Sequence, residues 1–451
     1  MRKTAGTLVL SLILAALGSA VLAAQEPIAT VTVTLDEAIA MALLQNPFYL
    51  ATQEKVAQAK AQVRQAASGF LPTLNAQGTD TLDEKLFVLE FPSFIPGQPP
   101  QRFSIDFTRD YQMALSFGLP LFTGGRLTAG YKQANYGLQA SREGVRLSEQ
   151  ETIFNVKRAF YTYLLAKEFS MVAAESLALA EGFRNNVKNL YDVGVASKFE
   201  LLLAEVQVTN LKPPSIRARN GIEVAALNLK TILGVPLDTP LEIKGELVSP
   251  PLDPVTEAVV EEAQAQRPEL RQLDYQRLMA GEMLKMARGT GLPSLAIGGL
   301  YNLWSDRLMF RKVDWQNYYT ISLSLNIPLF NGFDTLAKVG QSKAAIREIE
   351  WNRKGLAEMI SFEVKQAVLN RAQARETLLS QEKNVEQARE AVRIAELNYT
   401  EGLATNLDVV TAQVGLRQAS TNYSQALYDC VISDAQLEKA LGRSRSEAPS
   451  K

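Results

Sequence analysis

The 451-residue chain has no histidine and only one cysteine. Lack of histidine removes the commonest metal ligand and the commonest general base. A single thiol, Cys430, rules out an intrachain disulfide. The 47 Lys and Arg nearly cancel the 48 Asp and Glu, leaving a formal net charge of -1, so no basic surface for nucleic acid is expected. Beyond the amino terminus there is no uninterrupted apolar run long enough to cross a bilayer as a helix. No nucleophile–base set, metal cluster or phosphate loop is visible, and Thr123-Gly-Gly-Arg126 is too short to be such a loop. The chain is therefore not expected to be an enzyme or to hold a cofactor or metal.

The first residues have the layout of an export signal. Arg2 and Lys3 form the charged region, Leu8 to Leu17 the apolar region, and Val21-Leu22-Ala23 a small-residue cleavage site, so residues 1–23 are expected to be removed. No cysteine follows that would take a lipid anchor.

What remains is written twice. Met113-Ala-Leu-Ser-Phe-Gly-Leu-Pro-Leu-Phe122 answers to Ile321-Ser-Leu-Ser-Leu-Asn-Ile-Pro-Leu-Phe330, 208 positions later (113 to 321). The same offset carries Tyr191 to Tyr399, Gly194 to Gly402 and Gly234 to Gly442. Pro47 and Leu71-Pro72 instead answer to Pro268 and Leu292-Pro293, 221 positions later (47 to 268), so the first copy has the longer loop between its strands. Two like halves are expected, residues 24–246 and 247–443, before a flexible tail at 444–451.

Each copy opens with helix signals: Thr34-Leu-Asp-Glu37 has capping-box spacing, and Asp253 precedes Pro254 as a cap before a first-turn proline. Pro47 and Pro268 punctuate these opening helices, and a further helix is expected to end near Ser68 or Gly289.

Period-two segments follow, expected as strands at about 71–88, 103–121, 292–304 and 315–329. Met113, Leu115, Phe117 and Leu119 alternate with Gln112, Ala114, Ser116 and Gly118, and Ile321, Leu323 and Leu325 with Ser322, Ser324 and Asn326. Such alternation gives a sheet one greasy and one wet face. A hairpin packed on a soluble core would alternate in the same way. A membrane barrel is favoured because the strands reach the roughly 9–11 residues needed to cross a bilayer obliquely. Trp304, Trp315, Tyr318 and Tyr319 also gather at one strand end, as an interface girdle requires. Wetted, pore-facing positions would then include Asp106, Asp110, Gln112, Ser322 and Ser324.

Proline-free helical stretches come next, expected at 123–191 and 331–399 and about 100 Å long each. Helices over 197–233 and 405–441 return along them on alanine-rich heptad seams. Cys430 falls on one of these seams and is expected in the core. The reversals are Tyr191-Asp-Val-Gly-Val-Ala-Ser197 and Tyr399-Thr-Glu-Gly-Leu-Ala-Thr405. In each, glycine suits the left-handed helix stop, and Ser197 with Glu200, or Thr405 with Asp408, suits a capping box. Lys212-Pro213-Pro214 has no counterpart in the second copy and is expected to kink or break its helix.

Four strands are too few to enclose an interior, and open edges do not survive in hydrocarbon. Three copies would give twelve strands and twelve helical columns, a pore continued by a tube. The fold class expected is mainly α with transmembrane β: duplicated coiled-coil helical hairpins plus four amphipathic strands, forming a trimeric 12-strand β-barrel continued by an α-helical barrel. The competing reading is a periplasmic coiled-coil adaptor or scaffold that does not span the outer membrane. An adaptor should have one hairpin flanked by small β domains, whereas this chain has two hairpins and duplicated strands.

The cassette from Leu71-Pro72 to Gly124, repeated from Leu292-Pro293 to Gly332, resembles the TolC-type outer membrane efflux proteins. So do the Leu-Asp-Glu-Ala opening at Leu35 and the Tyr-x-x-Gly turns. The resemblance covers nearly the whole mature chain. It implies a homotrimer in outer-membrane lipid, with a belt built around Pro236–Pro254 and the carboxy-terminal tail. It also implies an exit duct of a tripartite efflux or type I secretion system. The partners would be a periplasmic membrane-fusion adaptor and an inner-membrane transporter of RND, ABC or MFS type. The adaptor-contacting tips fall on Val193, Gly194, Val195 and Ala196, and on Gly402, Leu403 and Ala404. A periplasmic gate held by polar contacts would draw on Arg184, Lys188 and Asp192, and on Arg389, Arg393 and Glu396; a merely solvated face is the other reading of these six.

Overall fold

The computed structural model describes residues 31–81, 87–93, 95–105, 111–249, 259–305 and 315–443. The export signal, Asp106, Arg109, Asp110, the Asp253–Pro254 cap and the 444–451 tail lie outside the described residues.

Strand β1 (Val31–Val33) leads into helices α1 (Leu35–Gln45) and α2 (Pro47–Ser68). Strands β2 (Thr73–Asp80), β3 (Phe87–Phe91), β4 (Gln101–Ile105) and β5 (Tyr111–Phe122) follow. The long helix α3 (Arg126–Asp192) returns as α4 (Lys198–Leu233), and β6 (Leu241–Ile243) closes the first copy. The second copy has α5 (Val259–Gln266), α6 (Pro268–Gly289), β7 (Ser294–Ser305), β8 (Gln316–Asn326), α7 (Asp334–Thr400) and α8 (Asn406–Ala440). No described helix is long and apolar enough to cross a membrane.

The chain divides into two compact units, and each takes segments from both copies. Thr52–Leu147 and Arg267–Ile360 form the unit that contains the sheet. Its four antiparallel strands lie in the order β2-β5-β7-β8. Thus the two hairpins join edge to edge, β5 against β7, with Leu115 opposite Tyr301 and Leu119 opposite Ile297.

The longer first-copy loop is not plain loop. Its β3 and β4 pair as a separate antiparallel hairpin, with Leu89 opposite Phe103. The two long strands expected at 71–88 and 103–121 are therefore two pairs among the described residues. Pro92, Pro96, Pro99 and Pro100 crowd the connection between β3 and β4, where missing amide donors prevent the ladder from continuing.

The other unit holds the remaining segments, up to Ala51, Ser148–Gln266, and Ser361 onward. Its main core packs Ile39, Val156, Phe160, Leu164, Leu229 and Leu233 with Val33 and Ile243. Fully burying a leucine such as Leu229 contributes about 2–3 kcal/mol. The last two of those core residues come from β1 and β6, a three-residue parallel pair. Asn46 ties the end of α1 to α4 by donating from Nδ2 to the Ile232 carbonyl at 2.7 Å. Gly234 ends α4 at φ 77°, and a Cβ there would collide with the Gln45 carbonyl oxygen. Both handedness and space demand glycine at this stop.

Pro213 and Pro214 do not break α4, which runs unbroken from Lys198 to Leu233. Two prolines remove only the donors to the Thr209 and Asn210 carbonyls. The buried seam of Leu201, Ala204, Val208 and Leu211 leads the helix up to that point.

Candidate functional site

The strand registers put Leu74 and Ala76 (β2), Met113, Leu115 and Phe117 (β5), Leu295 and Ile297 (β7) and Ile321, Leu323 and Leu325 (β8) on one face. This face is bare within the chain: Ile321 is 74% exposed, Leu323 65% and Leu74 66%. On the opposite face lie Asn75 and Gln77, Gln112 and Ser116, Asn302, and Thr320, Ser322 and Ser324. Gln112, Ser322 and Ser324, read as pore-lining, share that polar face and are exposed. Asp106 and Asp110 lie outside the described residues.

The aromatic girdle needs correction. Tyr319 stands opposite Tyr301 on the greasy face. Trp304 and Tyr318 take even positions in their strands and belong to the polar face, where Asn302 Nδ2 donates to the Tyr318 hydroxyl at 3.0 Å. Composition located the strand end but not the parity of each ring.

A sheet that is greasy on one side and wet on the other, with that greasy side uncovered, has the chemistry of a barrel wall facing lipid. Among the described residues β2 pairs only with β5, and β8 only with β7, so both outer edges present unpaired backbone groups.

Where α3 and α7 stop, the two reversals repeat one another bond for bond. The Val195 amide donates to the Leu190 carbonyl at 2.8 Å, and the Leu403 amide to the Asn398 carbonyl at 2.8 Å. Gly194 at φ 80° and Gly402 at φ 75° supply the left-handed residue. Ser197 with Glu200 and Thr405 with Asp408 form capping boxes. Hydrogen bonds from Thr405, first from its side chain and then from its backbone, hold the Asp408 carboxyl below the usual aspartate range. Val193, Val195 and Leu403 are each more than 70% exposed. Phe199, Leu202 and Leu407 add to this bare apolar tip. They fall between the heptad seam positions, so periodicity marks them only as the outer side of the helix.

Behind the tips the two hairpins share a core of Phe183, Val187, Leu201 and Ala204 with Tyr399 and Val409. The Phe183 and Tyr399 rings meet edge to face, 5.1 Å between centroids. Burial, followed by the charge of Glu200, raises the pKa of the Tyr399 hydroxyl. Buried Asn406 donates from Nδ2 to the Glu200 carbonyl at 3.1 Å, linking one hairpin to the other.

The six gate candidates are not gathered into one cluster. Arg393 forks onto Glu390 of its own helix at 2.7 and 2.8 Å, and these bonds lower the Glu390 pKa. Glu396 accepts from Gln413 Nε2 at 3.0 Å. Arg389 lines a shallow cleft with Glu382, Glu386, Glu390 and Tyr423. Lys188 and Asp192 are exposed. Arg184 buries its Nε without a hydrogen-bond partner among the described residues. Glu390, Gln413 and Asn406 are the polar partners that motif reasoning left out; their signal is a polar residue on or beside an apolar seam. Among the described residues no group of three or more His, Cys, Asp or Glu is placed to hold a metal.

Comparison with known proteins agrees with this geometry. Outer membrane protein TolC of Vibrio cholerae is 25% identical over 301 residues, 65% of this chain and 68% of that one. The pyoverdine export outer membrane protein OpmQ of Pseudomonas putida is 25% identical over 419 residues, 90% of this chain and 85% of its own. The crystal structure of a membrane protein from Pseudomonas aeruginosa superposes with a TM-score of 0.77 at 19% identity, covering 90% of this chain and 93% of that one. The sequence profile of the outer membrane efflux proteins matches residues 38–235 and 259–443, nearly the whole of both copies. With its lipid-compatible sheet and paired helical hairpins, the chain belongs to the outer membrane efflux protein family and is an outer-membrane exit duct.

Proposed function

We propose that three copies of this chain assemble into a passive exit duct of a tripartite efflux or secretion system, receiving cargo from an inner-membrane transporter through a periplasmic adaptor. The observation that carries this reading is the four-stranded sheet whose greasy face is bare and whose outer strands β2 and β8 each have one edge without a partner among the described residues. Hydrocarbon tolerates neither open edges nor an incomplete wall. Pairing β2 of one copy with β8 of the next satisfies both edges, and three copies give twelve strands, within the range of outer-membrane barrels.

The sheet's polar face, with Gln112, Ser322 and Ser324, would line the water-filled interior. Helices α3 and α7, 67 residues each, reach about 100 Å and would continue the duct into the periplasm. The apolar tips at Val193 to Ala196 and Gly402 to Ala404 would take the adaptor. Arg184, Lys188, Asp192, Arg389, Arg393 and Glu396 would face neighbouring copies as the gate. The transporter would be of RND, ABC or MFS type. A lumen of amides and hydroxyls offers little chemical discrimination, which places choice of cargo upstream.

The test is to separate inner from outer membranes, extract the protein in mild detergent and measure the protein mass of the particle by light scattering. A particle of about three chains from the outer-membrane fraction, conducting ions in a planar bilayer, is expected. A monomer soluble without detergent would overturn the reading.

A further inference from the structure

The two helical hairpins are alike at the tip and differ in the middle. In the second, Leu378, Ala426 and Cys430 form a buried cluster with Ala374, Tyr423 and Leu427 packed against it. Arg375 adds a clamp by donating to the Ser249 hydroxyl, which lies 3.7 Å from the Cys430 sulfur. Shifted back by 208 positions, the cluster falls on Ser170, Ala218 and Ile222, with Ala166, Ser215 and Arg219 around them. Leu378, Tyr423 and Leu427, the three largest members, thus answer to Ser170, Ser215 and Arg219.

Burial follows the composition. α4 buries no residue between Leu211 and Ala225, and α3 buries none between Leu165 and Ala180. Over the corresponding stretch α8 buries Ser424, Ala426, Cys430 and Val431. The same unpacked stretch of α4 contains Pro213 and Pro214, where the second copy has Thr421 and Asn422. It also contains Gly221, where the second copy has Asp429, and a Cβ at Gly221 would meet nothing within 4 Å. Two lost helix hydrogen bonds, an interior glycine and the lack of a fully buried side chain coincide at one level.

Both ends of the first hairpin are fastened. Leu164, Leu229 and Leu233 belong to the main core; Leu201, Ala204 and Val187 belong to the tip core shared with the second hairpin. A loose middle between two fixed ends is a hinge. We infer that the first hairpin bends at the level of 170–176 and 212–224, between Phe169, which packs on the main core, and the small cluster of Leu177, Ala180, Val208 and Leu211, letting its distal part move with the tip of the second hairpin, which is a stiff rod. That the bend serves opening of the duct rests on the function proposed above; the hinge itself does not.

Hydrogen exchange on the full-length protein in detergent tests it. Amides of 215–224 are expected to exchange at least tenfold faster than those of 423–432. The variant carrying Pro213→Thr, Pro214→Asn, Ser215→Tyr and Ser170→Leu, which copies second-copy residues into the first, is expected to slow that exchange at least tenfold. Equal exchange of the two stretches in the unaltered protein would overturn the hinge, whether or not the variant folds and whatever the protein conducts. Unchanged exchange in a folded variant would overturn it as well.

Discussion

The two helical hairpins share a length and a turn, yet at the level of Cys430 only one has a buried core. Their reversals use the same hydrogen bonds, the same left-handed glycine and the same capping box. Between the ends, Leu378, Ala426 and Cys430 make a small core in one hairpin, and two prolines occupy that level in the other. A duplicated chain can keep identical ends, where geometry permits few solutions, while its two long spans take on different stiffness.

Substitutions sharpen this contrast. The largest effect is expected at a crowded helix stop. Gly234→Ala puts a Cβ against the Gln45 carbonyl at a residue with positive φ, and should cost about 4 kcal/mol, from left-handed strain together with overpacking. Gly402→Ala has the same handedness but open space around it, so about 1–2 kcal/mol is expected. Denaturant midpoints of the two variants in one detergent check the difference, and equal losses would mean that space plays no part.

Leu378→Ala should cost about 3 kcal/mol through the lost burial and the cavity left behind. It should also bring exchange in the middle of the second hairpin towards that of the first. A loss of stability with no such change would break the comparison. Ser197→Ala removes an N-cap whose hydroxyl accepts from the Glu200 amide at 3.2 Å, for about 1 kcal/mol, seen as a lower melting temperature by circular dichroism.

Acid should have the smallest effect. The Asp408 carboxyl is held below its ordinary range by Thr405. Its contribution is therefore complete above the usual aspartate pKa and is lost as pH falls through the folded-state value. Stability measured from neutral pH downward should decline less steeply in Asp408→Asn than in the unaltered protein.

Much of this architecture was legible as sequence because it rests on local rules. Thr34 with Glu37, Ser197 with Glu200 and Thr405 with Asp408 sit where capping requires them, and Gly194 and Gly402 mark the turns. What escaped was non-local. Pairing of β5 with β7 joins segments about 180 residues apart, and alternation within a strand does not name its neighbour. The β1–β6 pair is only three residues long, below the length at which periodicity shows. Trp304 and Tyr318 were grouped with Tyr319 by proximity in sequence, although one step along a strand moves a side chain to the opposite face. In the candidate site, the tip residues were found from turn chemistry. Glu390, Gln413 and Asn406 were not, because a polar residue near a seam shows its partner only when the helices are side by side.

The open edges of the sheet bear on kinetics. Since β2 and β8 each leave one edge unpaired among the described residues, the three-copy wall proposed above would make entry into the membrane a reaction of order greater than one in protein concentration. Dilution should therefore slow insertion more than in proportion, and molecules made at low levels would wait longer at the membrane surface than their own folding time requires.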